Sequence, residues 1–208
     1  MFGTINLATF VITGIGLNIY PGPDTMYIMG RSLSQGKNAG ILSVCGIIAG
    51  ALCHTLLAGI GLSSILLASP HAYQVLRLIG SLYLVYLGIK CILNRTGANE
   101  SFSESYLARQ SNFQIFKQGF LTNLFNPKVA LFFLSFLPQF VDPVHNYGFF
   151  SFLFLGCIFL TTGSLWCFFI ALFSARMSRI IRRNERAVYY LEKITGVMYI
   201  VIGVLIYL

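Results

Sequence analysis

Two short motifs hold most of the chemistry available to this 208-residue chain: Tyr20-Pro21-Gly22-Pro23-Asp24 and Asn126-Pro127-Lys128. Each interrupts a long apolar run. Pro127 follows Pro23 by 104 positions, half of the chain's 208, and Lys128 follows Asp24 by the same interval. Proline lacks an amide hydrogen and clashes with the preceding turn, so a helix must break or unwind at each motif. Proline also suits the first turn of a new helix. A second half-helix is therefore predicted to start near Pro23 and another at Pro127, with Asn126 as N-cap. The N-termini of such half-helices offer free N–H groups and a positive dipole end, an arrangement that suits a carboxylate. Inside a membrane span these breaks are costly unless they line a cavity. Two of them in matching halves have the form of a binding site between repeats of a transporter.

The two charges differ, Asp24 in one half and Lys128 in the other. A lone charge at the bilayer centre costs about 2.5–3.5 kcal/mol on insertion scales, so pairing or hydration is expected. Three roles are open to the pair. They can clasp and neutralise each other; they can bracket a zwitterion, Asp24 toward an ammonium and Lys128 toward a carboxylate; or Asp24 can carry a proton. Gln118, Thr122 and Asn126 recur every four positions on one face, with Asn123 beside it, and such a stripe faces a bundle interior or water or joins helices by hydrogen bonds. Asn18 stands three residues before Pro21 and is a candidate cap for the freed backbone groups. Gly46, Gly50 and His54 are also spaced by four. Gly46-x-x-x-Gly50 permits a close helix approach. His54 continues that face, where it can bond across the interface, bind substrate or relay protons. No second His or acid stands at ligand spacing on that span, so a metal site is not indicated.

The elements that must position these residues follow from composition. The chain is 56% hydrophobic and 10% charged, against about 25% charged in a soluble domain, which makes it a membrane protein. Six apolar segments are long enough for a bilayer core needing about 20 residues. They run over 5–29, 40–67, 73–93, 114–137, 148–174 and 188–208. No Lys or Arg precedes the first apolar run, so it is read as a retained span and not a secretory signal. Residues 94–113 form a polar linker, giving a single membrane domain over 1–208 with repeat one at 1–93 and repeat two at 114–208.

Charge placement sets the orientation. Arg31 and Lys37 lie after span one. Lys90, Arg95, Arg109 and Lys117 surround the linker. Arg176, Arg179, Arg182, Arg183, Arg186 and Lys193 lie between spans five and six, which puts 12 of the 14 Lys and Arg on one side. The opposite loops, Ser69–Ala72 and Pro138–Tyr147, hold none. The basic side is expected to be cytoplasmic, the linker with it, and both termini periplasmic. The net charge of +8 is thus a topology signal, and nucleic acid drops out as a partner.

Three spans per half is an odd number, so a second copy must insert upside down. Gly50-Ala51-Leu52 echoes Gly163-Ser164-Leu165, and Gly80-Ser81-Leu82-Tyr83 echoes Gly196-Val197-Met198-Tyr199. The expected fold is an all-α integral membrane protein of six transmembrane helices, arranged as two inverted three-helix repeats with spans one and four broken at proline. The five cysteines contain no C-x-x-C pair, which argues against a redox or zinc motif and leaves them as small apolar packers.

The stretch Asn18–Gly40, NIYPGPDTMYIMGRSLSQGKNAG, resembles the signature of the LysE/RhtB family of bacterial amino-acid exporters. Asn123–Val141, NLFNPKVALFFLSFLPQFV, is similar to that family's second signature, and Gly80–Gly88 looks like its third-span pattern. The resemblance covers essentially the whole chain. It implies efflux of amino acids or close derivatives across the bacterial inner membrane, driven by the proton-motive force as an antiport. It assigns the core of the site to Pro21, Gly22, Pro23, Asp24, Asn126, Pro127 and Lys128; Asn18, Asn123, Thr122 and His54 join them from the readings above. No cofactor is implied, and Gly-rich faces leave a homodimer open. An exporter of a metal or other small ion is the alternative, though His54, His71 and His145 are scattered over different segments. A membrane thiol oxidoreductase would need paired reactive cysteines, and no nucleophile with a base in reach points to an enzyme.

Overall fold

The computed structural model describes residues 2–68, 70–93, 109–142 and 144–183, with positions 193, 194, 196, 197, 200, 201 and 204 beyond them. The described chain is helical, with α1 (Leu7–Ile19), α2 (Pro23–Gln35), α3 (Lys37–Ala68), α4 (Pro70–Leu93), α5 (Asn112–Leu124), α6 (Pro127–Leu131) and α7 (Phe149–Arg183). Among the described residues the extended pairing is a single bridge between Thr4 and Val141.

Both predicted breaks are present. Tyr20 turns extended at the end of α1, Gly22 is the extended N-cap of α2, and Pro23 opens the new helix. In the second half, Asn126 caps α6 by accepting the Lys128 N–H on Oδ1 at 3.0 Å, and Pro127 takes the first helical position. The axis bends by 45° between Asn112–Leu124 and Pro127–Phe140. Beyond α6 the chain widens into a π-helical turn over Phe132–Phe136 and tightens into a 3-10 turn over Leu137–Phe140. The helix α5 begins on a capping box, in which Ser111 N–H donates to Gln114 Oε1 at 2.9 Å and Gln114 N–H to Ser111 Oγ at 3.4 Å. Asn112 and Phe113, expected to end the linker, are therefore already helical, while 94–108 lie outside the described residues.

Lys37–Ser64 of α3 and Phe149–Ser174 of α7 are long and apolar enough to cross a bilayer, and the bent α5–α6 pair is a third candidate if it counts as one span. Large apolar side chains on α3 and α7 stand outward, Leu57 63% and Leu165 67% exposed, as does Ile12 of α1 at 71%. Acyl chains are the solvent that matches such a surface. The expected sixth span, 188–208, falls largely outside the described residues. Its helical position Gly196 lies against α4, where a β-carbon added at Gly88 would stand 2.5 Å from the Gly196 carbonyl oxygen.

Two apolar clusters form the interior. One gathers Phe10 and Leu17 of α1 with Val129, Phe132, Phe133, Phe136 and Phe140 after the second break, and with Phe152, Leu155 and Phe159 of α7. The other gathers Tyr27, Ile28 and Met29 of α2 with Val44 and Ile47 of α3 and Ile170 and Ala171 of α7. The two broken segments run antiparallel, so the proline breaks meet between these clusters. Against them lies α3, whose Gly46-x-x-x-Gly50 face packs on α5. A β-carbon at Gly50 would meet Asn123 Cβ and the Phe120 carbonyl oxygen, each at 2.9 Å. The close approach read from that spacing is present.

One charge is not where the sequence put it. Arg31, counted with the loop residues that set orientation, lies inside α2 with no surface exposed. Its Nη1 donates to Gln35 Oε1 and its Nη2 to Gln118 Oε1, both at 3.1 Å, and its guanidinium stands 5.8 Å from the Tyr27 ring centroid. A guanidinium presents five donors in a rigid fork, which suits it to span α2 and α5. Charge counting cannot see this, because it scores residue type and not depth.

Candidate functional site

The breaks free backbone groups and bring the two motif charges into one place. Asp24, in the first turn of α2, accepts on Oδ2 from Asn123 Nδ2 at 2.9 Å and from Asn126 Nδ2 at 3.1 Å. Both amides come from the second half of the chain. The other oxygen, Oδ1, is buried with no hydrogen-bond partner. Leaving a buried acceptor unsatisfied costs about 1–3 kcal/mol, and more for a charged one. Such an oxygen marks a place where a donor is expected to bind.

Lys128, in the first turn of α6, reaches back to the first half. Its Nζ donates to the carbonyls of Leu17 and Tyr20, each at 3.2 Å, and stands 5.7 Å from the Tyr20 ring centroid. These carbonyls belong to the end of α1, where the break removes their helical partners. Asn18, expected to cap them, instead points across to α7 and donates to Thr162 Oγ1 at 3.2 Å. Asp24 and Lys128 face one cavity.

That cavity has a volume of about 50 Å³. Asn18, Asp24, Thr25, Asn123, Lys128 and Ser164 form its polar part; Ile47, Ile48, Ala51, Val129, Phe159, Leu160, Trp166 and Cys167 form most of the remainder. It has room for a few waters, whereas sites that enclose a small organic ligand run to about 300–1,000 Å³. In this conformation the cavity is too small for such a ligand.

The remaining expected site residues fall into three groups. Pro21, Gly22, Pro23 and Pro127 shape the breaks; Gly22 brings its backbone close to Lys128, where a β-carbon would stand 3.3 Å from Nζ. His54 lies one shell back. Its Nε2 meets the backbone carbonyl oxygen of Asn123 at 3.3 Å, and its ring stacks on Phe133 with centroids 5.6 Å apart. A carbonyl oxygen only accepts, which places a proton on Nε2. Thr122 is half-buried on α5 and does not reach the cavity wall.

Sequence reasoning missed the wall that α7 contributes. Trp166 and Cys167 lie in a helix apolar around most of its circumference, so periodicity gives no face to choose. Trp166 Nε1 is buried without a partner beside the cavity. Among the described residues no group of three His, Cys, Asp or Glu side chains gathers to hold a metal ion.

The geometry is that of a small, mostly apolar cavity carrying two opposite charges between two proline-broken helix pairs, and the comparisons with known proteins give its class. The LysE type translocator family matches residues 15–208. An uncharacterized membrane protein of Pseudomonas aeruginosa is 29% identical over 97% of this chain and 94% of its own length. A leucine efflux protein of Salmonella typhimurium is 26% identical over 96% of this chain and 93% of its own. An uncharacterized membrane protein of Vibrio cholerae is 27% identical over 95% and 94%. No solved structure matches the chain. With the family matched from the first broken span to the last residue, this chain belongs to the LysE type translocators.

Proposed function

We propose that the chain is a secondary-active exporter of amino acids across the bacterial inner membrane, coupled to protons and working by alternating access. The observation that carries this reading is the pair Asp24 and Lys128. Each is supplied by one half of the chain, each is held by groups of the other half, and both line one cavity. Opposite charges lining one cavity suit a zwitterion, whose ammonium docks on Asp24 Oδ1 and whose carboxylate is drawn to Lys128. A carboxylate that takes either a proton or an ammonium, but not both, exchanges one for the other. Asp24 is thus the coupling group of an antiporter. Asn18, Asn123 and Asn126 orient the charges, Pro21, Gly22, Pro23 and Pro127 hold the breaks, and His54 fixes the backbone of Asn123; Thr122 supports α5.

The apolar part of the cavity and the relatives named for leucine efflux favour a neutral, aliphatic amino acid such as leucine. A cavity of about 50 Å³ requires the halves to part before such a substrate is admitted, in keeping with alternating access. Reciprocal packing supports two inverted repeats at 1–93 and 114–208 joined by a cytoplasmic linker over 94–113. Gly50 of the first half lies against Asn123 of the second, and Gly163 of the second against Asn18 of the first. The excess of Lys and Arg in the loops on one side favours a periplasmic face for both termini.

The test is uptake into energised inside-out membrane vesicles. Radiolabelled leucine is expected to accumulate and to be released by a protonophore. Accumulation of a divalent metal with no amino acid taken up would overturn the reading in favour of an ion exporter.

A further inference from the structure

We infer that Arg31 is the gate residue at the basic end of the pathway: its guanidinium bonds α2 to α5 across the route between the cavity and the cytoplasmic face, and these bonds must open to admit substrate. The inference rests on the transport reading above for its purpose, but its geometry stands apart from the substrate site.

Arg31 lies two turns beyond Asp24 on α2, a rise of about 10 Å. Gln118 precedes Asn123 on α5 by five residues, on the same side of the cavity. The exposed Lys37, Arg109 and Lys117 lie at that end, so the layer stands between the cavity and the basic face. Arg31 meets Gln118 Oε1 and Gln35 Oε1, each at 3.1 Å. Gln35 in turn receives the Gln110 N–H on Oε1 and donates from Nε2 to the Gln110 carbonyl oxygen, both at 2.9 Å. The chain entering α5 is thereby tied to the end of α2. Tyr27 closes the inner side of the layer, its hydroxyl donating to the Ile115 carbonyl oxygen at 2.7 Å.

One feature distinguishes a gate from an inert brace: the bond from Arg31 to Gln118 joins α2 to α5, one from each proline-broken helix pair, the elements that have to separate if the halves move. The opposite end of the cavity is closed by different means, the aromatic cluster of Phe10, Phe132, Phe136 and Phe140. A polar layer at one end and an apolar plug at the other let each open while the other stays shut.

Native Cys167, on the cavity wall, reports the gate without any substrate. The full chain with Cys45, Cys53, Cys91 and Cys157 changed to alanine is reacted with an impermeant cationic thiosulfonate, separately in inside-out and right-side-out vesicles. Arg31→Ala is expected to speed Cys167 labelling from the basic face by roughly tenfold, within the range of a single coupling contact, and to leave the opposite face unchanged. Gln118→Glu gives the guanidinium a carboxylate and is expected to slow labelling from the basic face. Labelling that is unchanged in Arg31→Ala, or faster from both faces, overturns the gate, as does faster labelling in Gln118→Glu. Should Arg31→Ala fail to insert, Gln118→Glu alone decides. Absence of amino-acid uptake by the parent chain, with these labelling shifts intact, would overturn the export reading and leave the gate standing.

Discussion

The side-chain amide of Asn123 donates to the carboxylate of Asp24 at 2.9 Å, and the bond crosses from the second half of the chain to the first. The same residue's backbone carbonyl oxygen is met by His54 at 3.3 Å, and Gly50 packs so close that a β-carbon there would stand 2.9 Å from the Asn123 β-carbon. Asn123 therefore converts the packing of α3 on α5 into a fixed position for the Asp24 carboxylate, with Oδ2 engaged and Oδ1 without a hydrogen-bond partner.

Replacing Asp24 by asparagine keeps the shape and removes the charge. If Oδ1 takes an ammonium and a proton in turn, uptake by inside-out vesicles should fall by at least about tenfold, a loss of about 1.4 kcal/mol of interaction. Its dependence on the pH gradient should flatten, while the amount of protein in the membrane is unchanged. Normal, gradient-dependent uptake in Asp24→Asn would remove this carboxylate from the mechanism.

Lys128 has a structural part as well as an electrostatic one, because its ammonium satisfies the Leu17 and Tyr20 carbonyls freed by the first break. Hydrogen bonds to charged groups contribute about 1.5–3 kcal/mol each. Lys128→Met should lower the melting temperature of the purified protein and abolish uptake together. Lys128→Arg should retain much of the stability yet transport poorly, since a planar fork cannot reproduce a compact point charge against Gly22. A Met variant with unaltered melting would show that the carbonyls find other partners.

What was legible in the sequence is what local chemistry dictates. Pro23 and Pro127 had to open helices, and Asn126 had to cap one, because proline geometry and orphan N–H groups leave few alternatives. The spacing of Gly46, Gly50 and His54 described a face that does meet α5. What was illegible depends on depth and on partners distant in sequence. Arg31 read as a loop charge, because residue type carries no information about burial. Asn18 read as a local cap, although Thr162, 144 positions away, competes for its amide and wins. Trp166 and Cys167 gave no signal, since in a helix surrounded by apolar matter the cavity-facing residues look like the lipid-facing ones.

Gly50 and Gly61 sit on the same helix with opposite expectations. A β-carbon at Gly50 would stand 2.9 Å from the Phe120 carbonyl oxygen and 3.0 Å from Asn123 Oδ1, whereas nothing lies within 4 Å at Gly61. Gly50→Ala should push α5 away, destabilise the protein by about 1–3 kcal/mol through overpacking, and reduce uptake by displacing Asn123 from Asp24. Gly61→Ala should be neutral or slightly stabilising, since alanine is the better helix former by about 1 kcal/mol. Thermal unfolding and uptake measured on both variants test the pair, and an inactive Gly61→Ala would contradict it.

Asp142 offers the control for proton coupling. It lies just beyond the 3-10 turn Leu137–Phe140, and its Oδ1 accepts the Val144 N–H at 2.8 Å and the His145 N–H at 3.1 Å. Those bonds, Val144 first, hold its carboxyl below its usual value of 3.8, with the nearby His145 adding to the effect. A carboxylate depressed by folding contributes stability above its unfolded value and loses it as pH falls through the folded one. Asp142 therefore stays ionised throughout the range from about pH 5 to 8, and any effect of its titration sets in only as pH falls toward 3.8 and below. Asp142→Asn should leave the pH profile of uptake superimposable on that of the parent, in contrast to Asp24→Asn. A shifted profile in Asp142→Asn would place a coupling proton at the membrane surface and displace Asp24 from that role.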